Sequence, residues 1–212
     1  VAIAQDKEQT PVYLDDTQPI EVRVQDALNR MNVEEKTRLS YAQGKFSSPG
    51  CPRLGIPELW MSDGPHGVRA EINWNDWGYA GWTNDSCTAF PALTCLAASW
   101  NPLLAAKYGY AIGEEARYRE KDVLLGPGVN IYRTPLNGRN FEYMGEDPYL
   151  ASELCVPYIQ GVQKNGVAAC VKHYALNNQE LWRGHIDVQL SDRALYEIYL
   201  PAFKAAVERE KA

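Results

Sequence analysis

The sequence predicts an α/β fold, a parallel sheet with crossover helices that forms part of a (β/α)8 TIM-like barrel. Three observations carry this expectation. Short apolar runs alternate with longer stretches of helical periodicity in the order strand, helix, strand, helix, strand, helix, and such alternation makes the strands parallel. Each apolar run stops at a polar or glycine-rich cluster, namely Ser62-Asp63-Gly64-Pro65, Gly126-Pro127-Gly128 and Lys172-His173. Those strand ends are where a β/α barrel builds its site. A whole barrel takes about 250 residues, whereas the 212 residues here hold too few strands for one.

The elements follow in order. Residues 5–20 are polar and carry Pro11 and Pro19, so 1–20 is expected to be an N-terminal arm and 21–212 an incomplete barrel domain. Val22, Val24, Ala27 and Leu28 fall on one side of a helix over 21–31. Asn32 with Glu35 three residues on forms a capping box, and predicts a second helix to about Tyr41. Leu59-Trp60-Met61 is a buried strand ending in a turn. Residues 71–88, with Trp74, Trp77 and Trp82, form a long loop of the kind that is often functional. Asn101-Pro102 caps a helix to about Arg119, and Asp122 to Leu125 is the next strand. Asp147-Pro148 caps a helix to about Lys164, with Asn165-Gly166 as its stop. Val167 to Val171 is a strand, and Ser191 or Asp192 caps a last helical stretch that Pro201 interrupts.

Composition excludes several function classes. Apolar residues make up 45% and charged residues 23%, the balance of an ordinary globular chain. No apolar run approaches the roughly 18 to 20 residues of a membrane span, so no membrane partner is expected. A net charge of -6 argues against nucleic acid, because an acidic chain gains nothing from phosphate neutralisation. The three histidines form neither HxH nor HExxH, and there is no GxSxG, Walker loop or dinucleotide fingerprint. No metal and no cofactor are expected. The five cysteines form no CxxC pair. Cys155 and Cys170 read as buried thiols, and pairing of Cys87 with Cys95 stays open. Ala2-Ile3-Ala4 has the small-x-small form of a signal-peptidase site, which points to a secreted or periplasmic protein.

Several residues could carry chemistry. Asp63 follows a buried strand, where a carboxylate can accept bonds from two sugar hydroxyls; it reads equally as a turn residue bonding its own backbone. Arg69 could hold Asp63 ionised, or be a surface cation. Arg139 follows Gly138, and its planar fork suits vicinal hydroxyls or a buried carboxylate. Glu142 is the more natural structural partner of an arginine, and Asp147 a helix cap. Lys172-His173 is the sharpest signal, because an ammonium ending an apolar strand costs free energy unless something uses it. Neighbours on a strand point opposite ways, so both reach one pocket only where the backbone departs from regular strand geometry. The plainer reading is a snorkelling lysine beside a core histidine.

Taken together, SDGPHGVR at 62–69, TAFPALTCLAASWN at 88–101, DVLLGPGVNIYRTPLNGRNFEYMGEDPYLA at 122–151, GVAACVKHYALNNQE at 166–180 and LSDRALYEIYLPAFKAAV at 190–207 resemble family 3 glycoside hydrolases. The resemblance covers nearly all of 20–210. It implies a β/α barrel followed by an α/β sandwich, and an exo-acting retaining β-glycosidase, first of all a β-glucosidase that releases terminal β-D-glucose from β-linked glucosides or oligosaccharides. A β-xylosidase or other exo-glycosidase, or a non-catalytic sugar-binding fragment, is the alternative. Residue by residue, it implies that Asp63, Arg69, Arg139, Lys172 and His173 hold the sugar's hydroxyls. The family's nucleophile lies in a Ser-Asp-Trp-like stretch that does not occur here. No catalytic residue is expected in this chain; nucleophile and acid/base are expected beyond Ala212, in the missing C-terminal part of the same enzyme, and the fragment alone is expected to be inactive.

Overall fold

The computed structural model describes residues 10–73, 76–81 and 86–210. The backbone divides into two compact units, one up to Glu58 and one from Leu59.

The first unit holds α1 (Ile20–Arg30), α2 (Val33–Arg38) and the two-residue strand β1 (Ser47–Ser48), with 3-10 turns at Val12–Leu14 and Pro52–Leu54. The capping box forms as the sequence requires: Glu35 N donates to Asn32 Oδ1 at 2.8 Å, and Asn32 N donates to Glu35 Oε2 at 3.0 Å. Arg53 then grips both Glu35 oxygens, at 2.8 and 2.7 Å, and the carboxyl falls to about 2. Met31, Cys51 and Leu54 make a small core, against which Ala27 packs. Val22, Val24 and Leu28 of the same helix remain exposed.

The second unit carries the parallel sheet. Its strands are β2 (Leu59–Asp63), β3 (Val123–Leu125) and β4 (Ala168–Ala169). Met61 pairs with Val123, Asp63 with Leu125, and Leu124 with Ala169, all in parallel. Between them run α3 (Leu93–Ala98), α4 (Pro102–Tyr118) and α5 (Pro148–Gln163); after β4 come α6 (Asp192–Ala194), a π-helical stretch Leu195–Tyr199 and α7 (Pro201–Glu210). This is the α/β arrangement expected, with the βα repeat from which barrels are made. Asn101 caps α4 by accepting from Leu103 and Leu104 N, and Asp147 caps α5 by accepting from Tyr149 N. α4 and α5 pack closely because Gly109 and Gly161 leave the facing backbones no room for a Cβ. The main core is Leu93, Ile112, Leu124, Ile131, Leu154, Ile159 and their neighbours, between sheet and helices.

Three details depart from expectation. β2 runs two residues further, through Ser62 to Asp63, while β4 is shorter than Val167 to Val171. Helix α3 is unanticipated, since Ala92 gives it no side-chain cap and its register is read only from the burial of Leu93, Leu96 and Ala97. All five cysteines are free; Cys155 is buried as expected, but Cys170 is exposed. The period-2 alternation along β4 explains it, because Ala169 points into the core and its neighbour must then point out. Among the described residues, no helix is long and apolar enough to cross a membrane.

Candidate functional site

The site forms at the C-terminal ends of the parallel strands. β2 delivers Asp63, and the chain then doubles back: Arg69 N donates to Asp63 O at 3.2 Å and to Ser62 Oγ at 2.9 Å. The reversal needs Gly64, whose φ of 128° and lack of a Cβ let the Gly67 carbonyl come close. The turn brings Arg69 Nη1 to 3.8 Å from Asp63 Oδ2, and lays its guanidinium 5.3 Å from the Trp77 ring centre. Beyond β4, Lys172 is tied to the 126–129 loop by Lys172 N to Pro127 O at 3.0 Å and Val129 N to Lys172 O at 2.8 Å. Its ammonium reaches Asp63 Oδ1 at 2.6 Å and Glu142 Oε2 at 3.6 Å. The Lys172–His173 peptide is cis, and His173 Nε2 also faces Glu142, at 3.9 Å.

A second charged group sits beside the first. Arg139 follows Gly138 at a φ of 84°. Its fork meets Glu142 Oε1 at 2.6 Å and Glu180 Oε2 at 2.7 Å, while Nη2 lies 3.4 Å from His173 Nε2. Arg139 and Glu142 are both buried, so each ion supplies the countercharge that the other lost on leaving water. This is the structural pairing expected of Glu142. Asn130 holds the His173 backbone from both sides, accepting from its N at 2.8 Å and donating to its O at 3.1 Å. Tyr143, fully buried, places its hydroxyl 3.0 Å from His173 Nδ1.

These contacts set the charge states. Burial alone would raise the Asp63 carboxyl; Lys172, and after it Arg69, outweigh burial and hold it below the usual carboxylate range. Burial, then the Lys172 and Arg139 charges, push His173 down to about 4, so its imidazole is neutral at pH 7. Burial likewise lowers His66. The arrangement can therefore offer a fixed anionic acceptor, a neutral imidazole and guanidinium donors to a polyhydroxylated ligand.

A cavity of about 510 Å³ opens onto these groups. Asp63, Arg69, Arg139 and His173 line it, and Lys172 stands behind Asp63. The structure thus brings together all five residues singled out in the sequence. Trp77 is on the rim and 64% exposed, whereas Trp74 and Trp82 lie outside the described residues. Sequence reasoning missed Arg183, Phe141 and His66, which also line the cavity. Arg183 stands 3.6 Å from Glu180, and the polar run Asn177-Asn178-Gln179-Glu180 after Lys172-His173 was the available signal. Phe141 had none, because an exposed ring in a loop looks like any other surface aromatic. Among the described residues, no group of His, Cys, Asp and Glu has the arrangement of a metal site.

Parallel strands whose ends gather paired charges around one cleft define a β/α domain with its site at the strand ends, and comparison gives the family. The model of the glycosyl hydrolase family 3 N terminal domain matches residues 27–212. The chain belongs to glycosyl hydrolase family 3. It is 99% identical over all 212 residues to the beta-glucosidase BoGH3A of Bacteroides ovatus, of which it covers 28%. It is 44% identical over 183 residues, 84% of this chain and 24% of the relative, to an exo-alpha-(1->6)-L-arabinopyranosidase of Bifidobacterium longum. Among solved structures, beta-glucosidase 3B from Thermotoga neapolitana in complex with glucose superposes with a TM-score of 0.80 at 39% identity, over 89% of this chain and 28% of that one. The chain thus spans about a quarter of the length of the relatives it matches.

Proposed function

We propose that this chain is the sugar-gripping part of an exo-acting, retaining β-glycosidase, a β-glucosidase that releases terminal non-reducing β-D-glucose. The observation that carries the reading is the convergence of Asp63, Arg69, Arg139, Lys172 and His173 on one cleft, with every charge paired and no metal arrangement among the described residues. The match to relatives named as beta-glucosidases supports glucose as the sugar. In this reading Asp63 accepts bonds from sugar hydroxyls, Arg69, Arg139 and Lys172 donate to them, and His173 holds one more hydroxyl. Grip of this kind contributes to rate where the bonds tighten as the ring distorts toward the transition state.

The two carboxyl groups of retaining cleavage stand about 5 to 5.5 Å apart. The acids that line this cleft have other work, Asp63 pairing with Lys172 and Glu142 with Arg139, and Asp147 caps α5. Nucleophile and acid/base then belong to the rest of the longer protein, and the 212 residues alone bind without cleaving. A secreted or periplasmic location goes with this proposal on the strength of Ala2-Ile3-Ala4, which lies outside the described residues.

The arabinopyranosidase relative favours a second reading, a different exo-glycosidase whose sugar lacks the exocyclic hydroxymethyl group. Calorimetry with glucose, together with kcat/KM of the full-length enzyme on aryl β-glucoside, β-xyloside and α-L-arabinopyranoside, separates the readings. The proposal expects the glucoside to be the best substrate. Preference for a pentoside would replace it with the second reading, and glucose binding without any turnover would leave a sugar-binding protein.

A further inference from the structure

We infer that Tyr143 is a positioning residue that fixes His173 as its Nδ1-protonated tautomer, so that the sugar hydroxyl meeting His173 must donate its proton to Nε2. The inference rests on the proposed role of His173 as a sugar ligand and adds the direction of its hydrogen bond.

The argument is a proton count. A neutral imidazole has one N–H donor and one lone-pair acceptor. A phenol has one O–H and can also accept. The Tyr143 hydroxyl lies against the main-chain carbonyl of Asn177, which can only accept, so the phenolic proton points there. Oη therefore shows a lone pair to His173 Nδ1, 3.0 Å away, and Nδ1 must carry the hydrogen. Tyr143 is fully buried, leaving its hydroxyl no solvent to turn to, and burial pushes the phenol up to about 12, so its proton stays. The other side of the ring gives the same answer independently. Arg139 Nη2 can only donate and lies 3.4 Å from His173 Nε2, so Nε2 is the lone-pair nitrogen.

The lone pair is nevertheless underused. Arg139 Nη2 gives one of its two N–H groups to Glu142 Oε1 at 2.6 Å, and the other reaches His173 Nε2 only at 3.4 Å, a long contact for an N–H donor. His173 lines the cavity, and Asn130 holds its backbone on both sides, so the ring is set with an acceptor available to the ligand. The sugar position that His173 reads must therefore bear a donor. A hydroxyl qualifies; fluorine, which only accepts, does not.

The experiment uses competitive inhibition of the full-length enzyme by glucose and its deoxy and deoxyfluoro analogues. The position read by His173 is the one where His173→Ala abolishes the penalty for the deoxy analogue. At that position the fluoro and deoxy analogues are expected to be equally weak, each about tenfold weaker than glucose. A fluoro analogue that binds like glucose would mean that Nε2 donates, and would overturn the inference. For Tyr143, Tyr143→Phe is expected to weaken glucose several-fold in the parent enzyme and not at all in the His173→Ala background. Equal losses in both backgrounds would make Tyr143 a general packing residue and overturn its positioning role. Glucose affinity left intact by His173→Ala would instead remove the sugar-ligand reading itself, which separates the two failures. The analogue series on the parent enzyme decides the tautomer even where Tyr143→Phe fails to fold.

Discussion

Replacing Asp63 by alanine removes the one anion that the β2 end presents to the cleft. Its Oδ1 is occupied by Lys172 at 2.6 Å, and its Oδ2 lies 3.8 Å from Arg69. Oδ2 therefore keeps lone pairs for ligand hydroxyls, and a hydrogen bond to a charged acceptor contributes about 1.5 to 3 kcal/mol. Loss of one such bond in the transition state corresponds to roughly 10- to 150-fold in kcat/KM. The ammonium of Lys172 is also left with Glu142 at 3.6 Å as its remaining carboxylate in the site, which shifts a second donor. Asp63→Asn keeps one oxygen acceptor but loses the charge, so it should fall between the parent enzyme and Asp63→Ala. The assay is kcat/KM of the full-length enzyme on an aryl β-glucoside, with circular dichroism to show that each variant is folded. A folded Asp63→Ala enzyme within about threefold of the parent, under 1 kcal/mol, would refute the assignment of Asp63 to the sugar. Because Lys172 and Arg69 hold the carboxyl below its usual range, this contribution should persist on acidification until below about pH 4.

Three further outcomes follow from the same contacts. His173 is held neutral down to about 4, while an unfolded histidine takes a proton near 6.5. Its share of stability is thus full above about pH 6.5 and falls as pH drops toward 4, at no more than about 1.4 kcal/mol per pH unit; the Tm difference between pH 7 and pH 5 should shrink in His173→Gln, and an unchanged difference would count against it. Trp77, exposed on the rim, should stack on a sugar beyond the first, so Trp77→Ala should raise KM for disaccharides about two- to tenfold more than for aryl glucosides; equal effects would mean that the ring only packs its loop. Native-state thiol labelling of the 212-residue chain should modify Cys87, Cys95 and Cys170 quickly and spare Cys51 and Cys155, whose burial pushes the Cys155 thiol to about 12; rapid labelling of the buried pair would contradict the core as described.

Much of the fold was legible because capping chemistry is local. Asn32 with Glu35, Asn101 with Pro102, and Asp147 with Pro148 each start a helix where the sequence says, since the cap and the donors it satisfies lie within four residues. Helix α3 has no such cap, and Pro157 inside α5 would argue against the helix that forms there. Tertiary packing of α5 overrides that local signal, with Leu154, Tyr158, Ile159 and Val162 all fully buried. In the site, Asp63 and Lys172-His173 were visible because charged residues ending apolar strands are costly unless used. Tyr143, Asn130 and Phe141 were not. Their roles depend on which residue lies opposite in space, 30 positions away for Tyr143 and 43 for Asn130.

The electrostatics of the cleft also limit what its acids can do. A group that donates a proton at neutral pH needs a raised pKa, usually from burial without a cation. Asp63 is displaced in the opposite direction by Lys172 and Arg69. Glu142 lies within 3.6 Å of Lys172 and 2.6 Å of Arg139, so its oxygens face cations on both sides. A carboxylate held as Asp63 is held is a good acceptor and a poor proton donor, and both Glu142 oxygens are engaged by ion pairs. His173, pushed to about 4, holds no spare proton at pH 7 either. The same positive charges that make the cleft a firm hold for hydroxyls therefore disqualify Asp63 from protonating a leaving group. Cleavage by the proposed enzyme requires a carboxyl outside this cluster, in surroundings that raise its pKa instead of lowering it.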